Sequence, residues 1–209
     1  MKSTYEFLQI PLPYSPAALE PGMSSRLISA HYTDCLGAHV DKLNAVLAPY
    51  KTYHRATLRE LIMFSPRLPD KIRRDVRYHA GAVFHHNMFF YGMTPDSQGA
   101  PFKVLSTAAK KSFASFDDVL RGMRAAATSL HGSGWVVLAA DSTGRLRVVP
   151  CPNNETTLVM GMTPVLVLDM WEHAYCSQYS NNIDAYFDAW VKSINYHFAE
   201  EILISLNKH

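Results

Sequence analysis

Cysteine is scarce in this chain, at three in 209 residues. Cys35, Cys151 and Cys176 are odd in number and far apart, and no C-x-x-C occurs. That excludes a zinc ribbon and a thioredoxin-like motif and argues against a disulfide framework. A reducing, cytoplasmic compartment fits better. Long apolar runs are also missing. No stretch approaches the roughly 18 apolar residues of a membrane span, and the opening MKSTYEFLQIPLPYSP lacks the apolar run of a signal peptide. Neither a membrane nor a nucleic-acid partner is expected. Charged residues make up only 18%, the formal net charge is +2, and no block of like charge suggests a basic patch. Repeats and low-complexity tracts are absent. What is present is apolar content of 48%, enough to bury a substantial core in one large domain or two small ones.

The first half reads helical. Pro21 and Gly22 break the chain, Ser24 or Ser25 caps a helix, and Leu36, Val40, Leu43 and Leu47 continue it at helical spacing until Pro49. A short helical piece follows around Leu58 to Phe64. A second long helix starts near Asp70 and runs to Phe90 or Tyr91, where Gly92 and Pro95 stop it. The second half changes character. Ser115 to Asp118 resembles a capping box heading a helix to about Leu130. Three strand-like runs follow, Trp135 to Ala140, Leu146 to Val149 and Pro164 to Asp169, with Asp141-Ser-Thr-Gly144 as a hairpin turn. One last helical stretch spans about Ile183 to Leu206. The reading is an α+β chain: an N-terminal helical hairpin domain over 1–95, then an α+β domain over 96–209 with a three-stranded antiparallel sheet.

The chemistry-bearing residues are few. Asp169 and His173 stand four apart after a β-rich run, so they share a face if the chain turns helical there. A carboxylate and an imidazole on one turn make half a redox-metal site; spacing alone fits a surface Asp and a capping His as well. His31, Cys35 and His39 fall at i, i+4 and i+8 on the first long helix. His79, Ala82, Val83 and His86 share a face of the second. Each of these histidines is either a ligand or a residue of a helix seam.

Taken together, the motifs resemble the iron/manganese superoxide dismutases over nearly the whole chain. Leu12-Pro-Tyr14 and Ala18-Leu-Glu-Pro21 look like that family's opening. His31-Tyr32 with Val40, Leu43 and Asn44 resembles its first ligand helix, and Phe84-His-His-Asn-Met-Phe-Phe90 its second. Gly132-Ser-Gly-Trp135 matches a family signature. Asp169-Met-Trp-Glu-His-Ala-Tyr175 is close to D-V-W-E-H-A-Y, the most specific single match. Tyr179, Asn181, Tyr186 and Asn195 carry the similarity into the last helix. The resemblance implies an enzyme that converts superoxide to dioxygen and hydrogen peroxide by redox cycling of one iron or manganese ion. It implies His31, His86, Asp169 and His173 as the metal ligands, at a junction between the two domains. It also implies a homodimer in which Glu172 reaches the partner's ligand imidazole. The alternative is a dismutase-fold structural subunit without activity.

The surroundings depart from the family pattern, and surroundings tune metal sites. A family Gln that meets the solvent ligand comes either from the place of Ala82 or from that of Asn154. Ala82 clears the first, and Asn154 is one methylene short at the second. His39 stands where the family has a gateway Tyr. An imidazole titrates near neutrality and a phenol near pH 10, so His39 implies activity that changes between about pH 5 and 8. Cys35 and Cys176 replace a His–Tyr pair along the dimer-interface channel, and free thiols rather than a disulfide are expected there. Trp135 and Trp171 keep the hydrophobic wall. His85 and His131 are extra histidines near the site by position. Asp34 and Ile183 replace family cations, which weakens electrostatic guidance. Val167 stands where manganese enzymes often carry Gly, and with a short Asn154 it leans the site to iron or to either metal.

Overall fold

Ser24 opens the first helix by accepting a hydrogen bond from the Leu27 amide at 3.2 Å, the usual way to satisfy an orphan N–H at a helix start. A computed structural model of the chain describes residues 4–206. In it, helices α1 (Ser25–Ala30) and α2 (Gly37–Leu47) are joined by a π-helical segment, His31–Leu36. The Gly37 amide donates to the Tyr32 carbonyl across this wider turn. The sequence reading has one uninterrupted α-helix here. The π segment replaces its i, i+4 geometry at the residues that carry the candidate chemistry, a common place for such bulges. Thr57 and Glu60 form a reciprocal capping box at the start of α3 (Leu58–Met63), and α4 (Asp70–Tyr91) follows Pro69 and ends at Gly92.

Helix α5 (Lys103–Ser112) has no counterpart in the sequence reading. Its first amides are capped from far away: Val104 and Leu105 both donate to the Glu200 carboxylate at 2.7 Å, so no local start signal exists. Helix α6 (Phe116–Ser129) begins as expected, with Ser115 accepting from the Asp118 amide. Strands β1 (Gly134–Ala140), β2 (Leu146–Pro152) and β3 (Thr163–Asp169) form an antiparallel sheet in the order β2-β1-β3. Every residue of the central strand is buried, which is why β1 reads as a continuous apolar run rather than an alternation. Strand β2 runs past Val149 to Pro152; its prolines are tolerated because it is an edge strand.

After a short 3-10 turn, Glu172–Ala174, and α7 (Cys176–Tyr179), the final stretch is two helices, α8 (Ile183–Lys192) and α9 (Tyr196–Leu206), not one. The break is built by tertiary bonds. Ile194 pairs with Met93 in an isolated bridge, the Thr94 amide donates to Ser193 O and the Asn195 amide to Gly92 O. Asn195 then caps α9 by accepting from the Phe198 amide at 3.1 Å. Helix α4 packs on α2 and α3 on one side and on β3 on the other. One continuous apolar core runs from Phe7 and Leu43 through Phe89 and Trp135 to Tyr186 and Leu203. Among the described residues no helix is long and apolar enough to cross a membrane.

Candidate metal centre

Antiparallel register sets the floor of the site. Trp135 of β1 lies opposite Asp169 of β3 on one side and Cys151 of β2 on the other. Asp169 is the last residue of β3, fully buried, and each part of it is held. Its Oδ1 accepts from the Trp171 amide at 2.8 Å and its carbonyl from the buried Tyr186 hydroxyl at 2.9 Å. That leaves Oδ2 facing three imidazoles. Nε2 of His31, His86 and His173 lies 3.1, 3.9 and 3.3 Å from it. His31 comes from the π segment, His86 from α4, and His173 from the 3-10 turn after β3. The turn thus brings Asp169 and His173 to one point without the α-helical geometry that the spacing suggested.

These contacts are close but lack hydrogen-bond geometry: Nε2 of all three rings and Asp169 Oδ2 are buried without a hydrogen-bond partner. Buried polar atoms are rarely left so. The tautomer of His86 explains one of them. Its Nδ1 lies 2.8 Å from the Ala82 carbonyl, so it carries the proton and leaves a lone pair at Nε2. The four candidate ligand atoms lie within 4.8 Å of one another, only slightly wider than the roughly 4.2 Å that opposite ligands of one ion span. Three imidazoles and one carboxylate with converging lone pairs fit an iron or manganese ion.

The charges tell the same story. Burial lowers the pKa of His31 and carries that of His86 well below the ordinary range, so both are neutral as ligands must be. Burial would raise Asp169, but His173 and His31 beside it hold the carboxyl well below the usual carboxylate range. Burial would lower His173, but its contacts with Asp169 and then the Cys35 sulfur outweigh this and hold it up at about 10. A proton on His173 thus stands in for the positive charge that an ion brings. His173 is also the most open of the four, with 28% of its side chain exposed against 1% or less for the others.

The remaining predicted residues take distinct places. Trp135 walls the site with its ring 5.0 Å from His86, and Trp171 stacks on His173 at 5.9 Å. Val167 is buried on β3 opposite Val137. Ala82 is buried and serves through its carbonyl. Asn154 is buried, accepts from Trp135 Nε1 at 3.1 Å, and keeps its Nδ2 without a partner. Glu172 accepts from Ser133 Oγ at 3.0 Å. Cys35 is half-buried and free, and Cys176 is exposed and free. His85 is buried against Trp135 at 4.9 Å, with neither ring nitrogen partnered, and burial pushes it down to about 3. His131 is exposed.

His39 requires a correction. Burial, then the nearby His79, Lys42 and His173, push it down to about 4. It stays neutral between pH 5 and 8, so its own titration does not produce a pH profile there. Its ring lies 5.7 Å from that of His86, and its Nδ1 is 2.9 Å from Nδ1 of His79. Periodicity puts His79 on a helix face but does not reveal this pair. The family pattern puts Cys35 at an interface but does not reveal its contact with His173. The signals were there, two histidines facing across α2 and α4, but only packing decides which residues meet.

Comparison with known proteins agrees with this geometry. Residues 4–94 match the model of the iron/manganese superoxide dismutase alpha-hairpin domain, and residues 101–202 match that of the C-terminal domain. A superoxide dismutase [Mn] of Listeria innocua is 35% identical over 193 residues, covering 92% of this chain and 94% of that protein. One from Thermus thermophilus is 32% identical over 197 residues, covering 94% and 97%. Superoxide dismutase [Mn] 3 of Leptolyngbya boryana is 28% identical over 186 residues, covering 89% and 78%. With both domain models matched in order and the His–His–Asp–His cluster at their meeting point, this chain belongs to the iron/manganese superoxide dismutases.

Proposed function

We propose that this superoxide dismutase works on one iron or manganese ion held by His31, His86, Asp169 and His173, with His39 and Asn154 lining the approach. The observation that carries the ligand assignment is the set of four converging ligand atoms, all buried and all without a hydrogen-bond partner. When bound, the ion supplies the electron chemistry, alternating between trivalent and divalent states while one superoxide is oxidised to dioxygen and a second is reduced to hydrogen peroxide. The chain's own residues do the rest. Asp169 balances charge and is locked by Trp171 and Tyr186. Trp135 and Trp171 exclude water from the ligand side. Asn154 Nδ2 is a buried donor left free to act. His39 is neutral and half-buried, with its ring 5.7 Å from that of His86.

The finer points belong to the same reading. We infer use of iron or of either metal, because Val167 crowds the place beside Asp169 and Asn154 is short; manganese in the names of the relatives makes that metal the comparison arm. We infer a homodimer, with Glu172 of each subunit turned to His173 of the other, a bond that fixes an imidazole tautomer and couples two sites. A domain boundary near residue 95 and a reducing, cytoplasmic setting complete the proposal; the three free thiols support the latter. The test is reconstitution of metal-free protein with iron and with manganese separately, followed by metal analysis and a superoxide assay. Activity with iron equal to or above that with manganese is expected. Protein that takes up neither metal would overturn the ligand assignment.

A further inference from the structure

Beside the metal centre lies a second histidine pair that the ligand set does not use. His39 on α2 and His79 on α4 meet Nδ1 to Nδ1 at 2.9 Å, with ring centroids 5.2 Å apart. Two nitrogens at that distance must share one proton, since two lone pairs or two N–H groups would repel. Each ring then keeps its Nε2 for another partner. His39 lies on the metal side, 5.7 Å from His86 by ring centroid. His79 lies outward, half-buried against Tyr78 at 5.2 Å. The short contact itself fixes the arrangement: one proton lies between the two rings, donated by one Nδ1 to the lone pair of the other.

We propose that His79 positions His39 and relays a proton to it through the Nδ1–Nδ1 contact. The inference rests on the dismutase reading above. In the resting arrangement His79 carries its proton on Nδ1 and His39 carries its own on Nε2. A bound ion would supply the electron that takes superoxide to the peroxide level, and His39 Nε2 would give its proton to that product. His79 Nδ1 gives its proton to His39 Nδ1 in the same event, and His79 Nε2 takes one from water. One proton has crossed the pair, one N–H bond has broken and one has formed on each ring, and both rings are again neutral. The pair resets when His39 Nε2 takes a proton from water, His39 Nδ1 returns its proton to His79 Nδ1, and His79 Nε2 releases its proton to solvent. Such relays raise rates because each hop is short and aligned, and no buried ring is left charged. His79 touches no reacting atom and acts only through His39.

His79→Gln separates relay from positioning. Its amide N–H can still donate to His39 Nδ1 and hold the ring, but an amide does not pass a proton on. In pulse radiolysis with superoxide, on the fully metal-loaded protein, we expect kcat to fall about tenfold, toward the low end of general acid–base effects because water partly substitutes. The kcat/KM should hold within about twofold, and the solvent deuterium isotope effect on kcat should rise. His79→Ala should show the same fall and recover with millimolar imidazole. The double variant His39→Gln/His79→Gln should be no slower than His39→Gln alone, because the two act in series. Unchanged kcat and isotope effect in His79→Gln would overturn the relay, as would failure of imidazole to rescue His79→Ala. Loss of bound metal in both single variants would overturn it too, as evidence of a structural role. If the unsubstituted, metal-loaded protein does not dismutate superoxide, the functional reading itself fails, a result distinct from all of these.

Discussion

Substituting Gly81 by Ala tests whether α4 and the loop after β2 are locked together, and through them Asn154. A Cβ at Gly81 would stand 2.2 Å from the Asn154 carbonyl oxygen, 1.2 Å short of the 3.4 Å where ordinary contact begins. The atom in the way is backbone, so no rotamer change relieves it; the loop must move. Two effects oppose each other. Ala is favoured over Gly in a helix interior by about 1 kcal/mol, while overpacking a close-packed site costs roughly 1–3 kcal/mol. A clash this deep against main chain belongs at the upper end, which leaves a net loss of about 2 kcal/mol. For a chain of this size that is a fall in Tm of roughly 4–8 °C. The displaced loop also pulls Asn154 Oδ1 off Trp135 Nε1, a 3.1 Å bond, so the fluorescence of the native state should change. The assay is urea unfolding of metal-free protein, so that metal binding adds nothing to the stability of one variant over another. Because the obstacle is main chain, Asn154→Ala in the same protein should not restore the stability. Gly81→Ala equal to or more stable than the original chain would refute the reasoning and show that the contact relaxes freely.

Asp169→Asn keeps the shape and removes the charge; bound metal, measured by elemental analysis after dialysis, should fall with an affinity loss of more than about 100-fold, beyond what peripheral partners cost. Cys35→Ala removes the sulfur beside His173 and should weaken metal affinity by about tenfold with little change in fold, read by competition with a chelator. The stability of the metal-free protein should peak near pH 6.5. Below it, the depressed pKa values of His31, His85 and His86 mean the unfolded chain binds protons that the folded one refuses, so stability falls with pH, and Asp169 adds a further loss below the ordinary carboxylate range. Above it, His173 loses its proton as pH rises through about 10, and the stability from its raised pKa fades. Denaturant midpoints across pH 4 to 11 check this; metal loading should abolish the alkaline arm, because the ion replaces that proton.

The one-dimensional pattern determined a great deal here. Asp70 to Tyr91 reads as a helix because its apolar residues recur at helical spacing and Gly92 stops it, and that is where α4 lies. Apolar runs split by Asp141-Ser-Thr-Gly144 give β1 and β2 for equally local reasons. The four residues that converge at the candidate metal centre are legible as family motifs in the sequence alone. Other features have no local cause. Helix α5 is capped by Glu200 from α9, and the final helix is cut in two by bonds from the Gly92 to Thr94 turn; both depend on residues some 100 positions away. The protonation of His39 is likewise a tertiary fact. A sequence gives the residue its ordinary pKa, whereas burial among His79, Lys42 and His173 takes it to about 4. The His39–His79 contact is decided the same way, because periodicity assigns each residue to a face of its own helix. Which two faces are pressed together depends on how α2 and α4 pack around the shared core, and that is set by the whole chain at once.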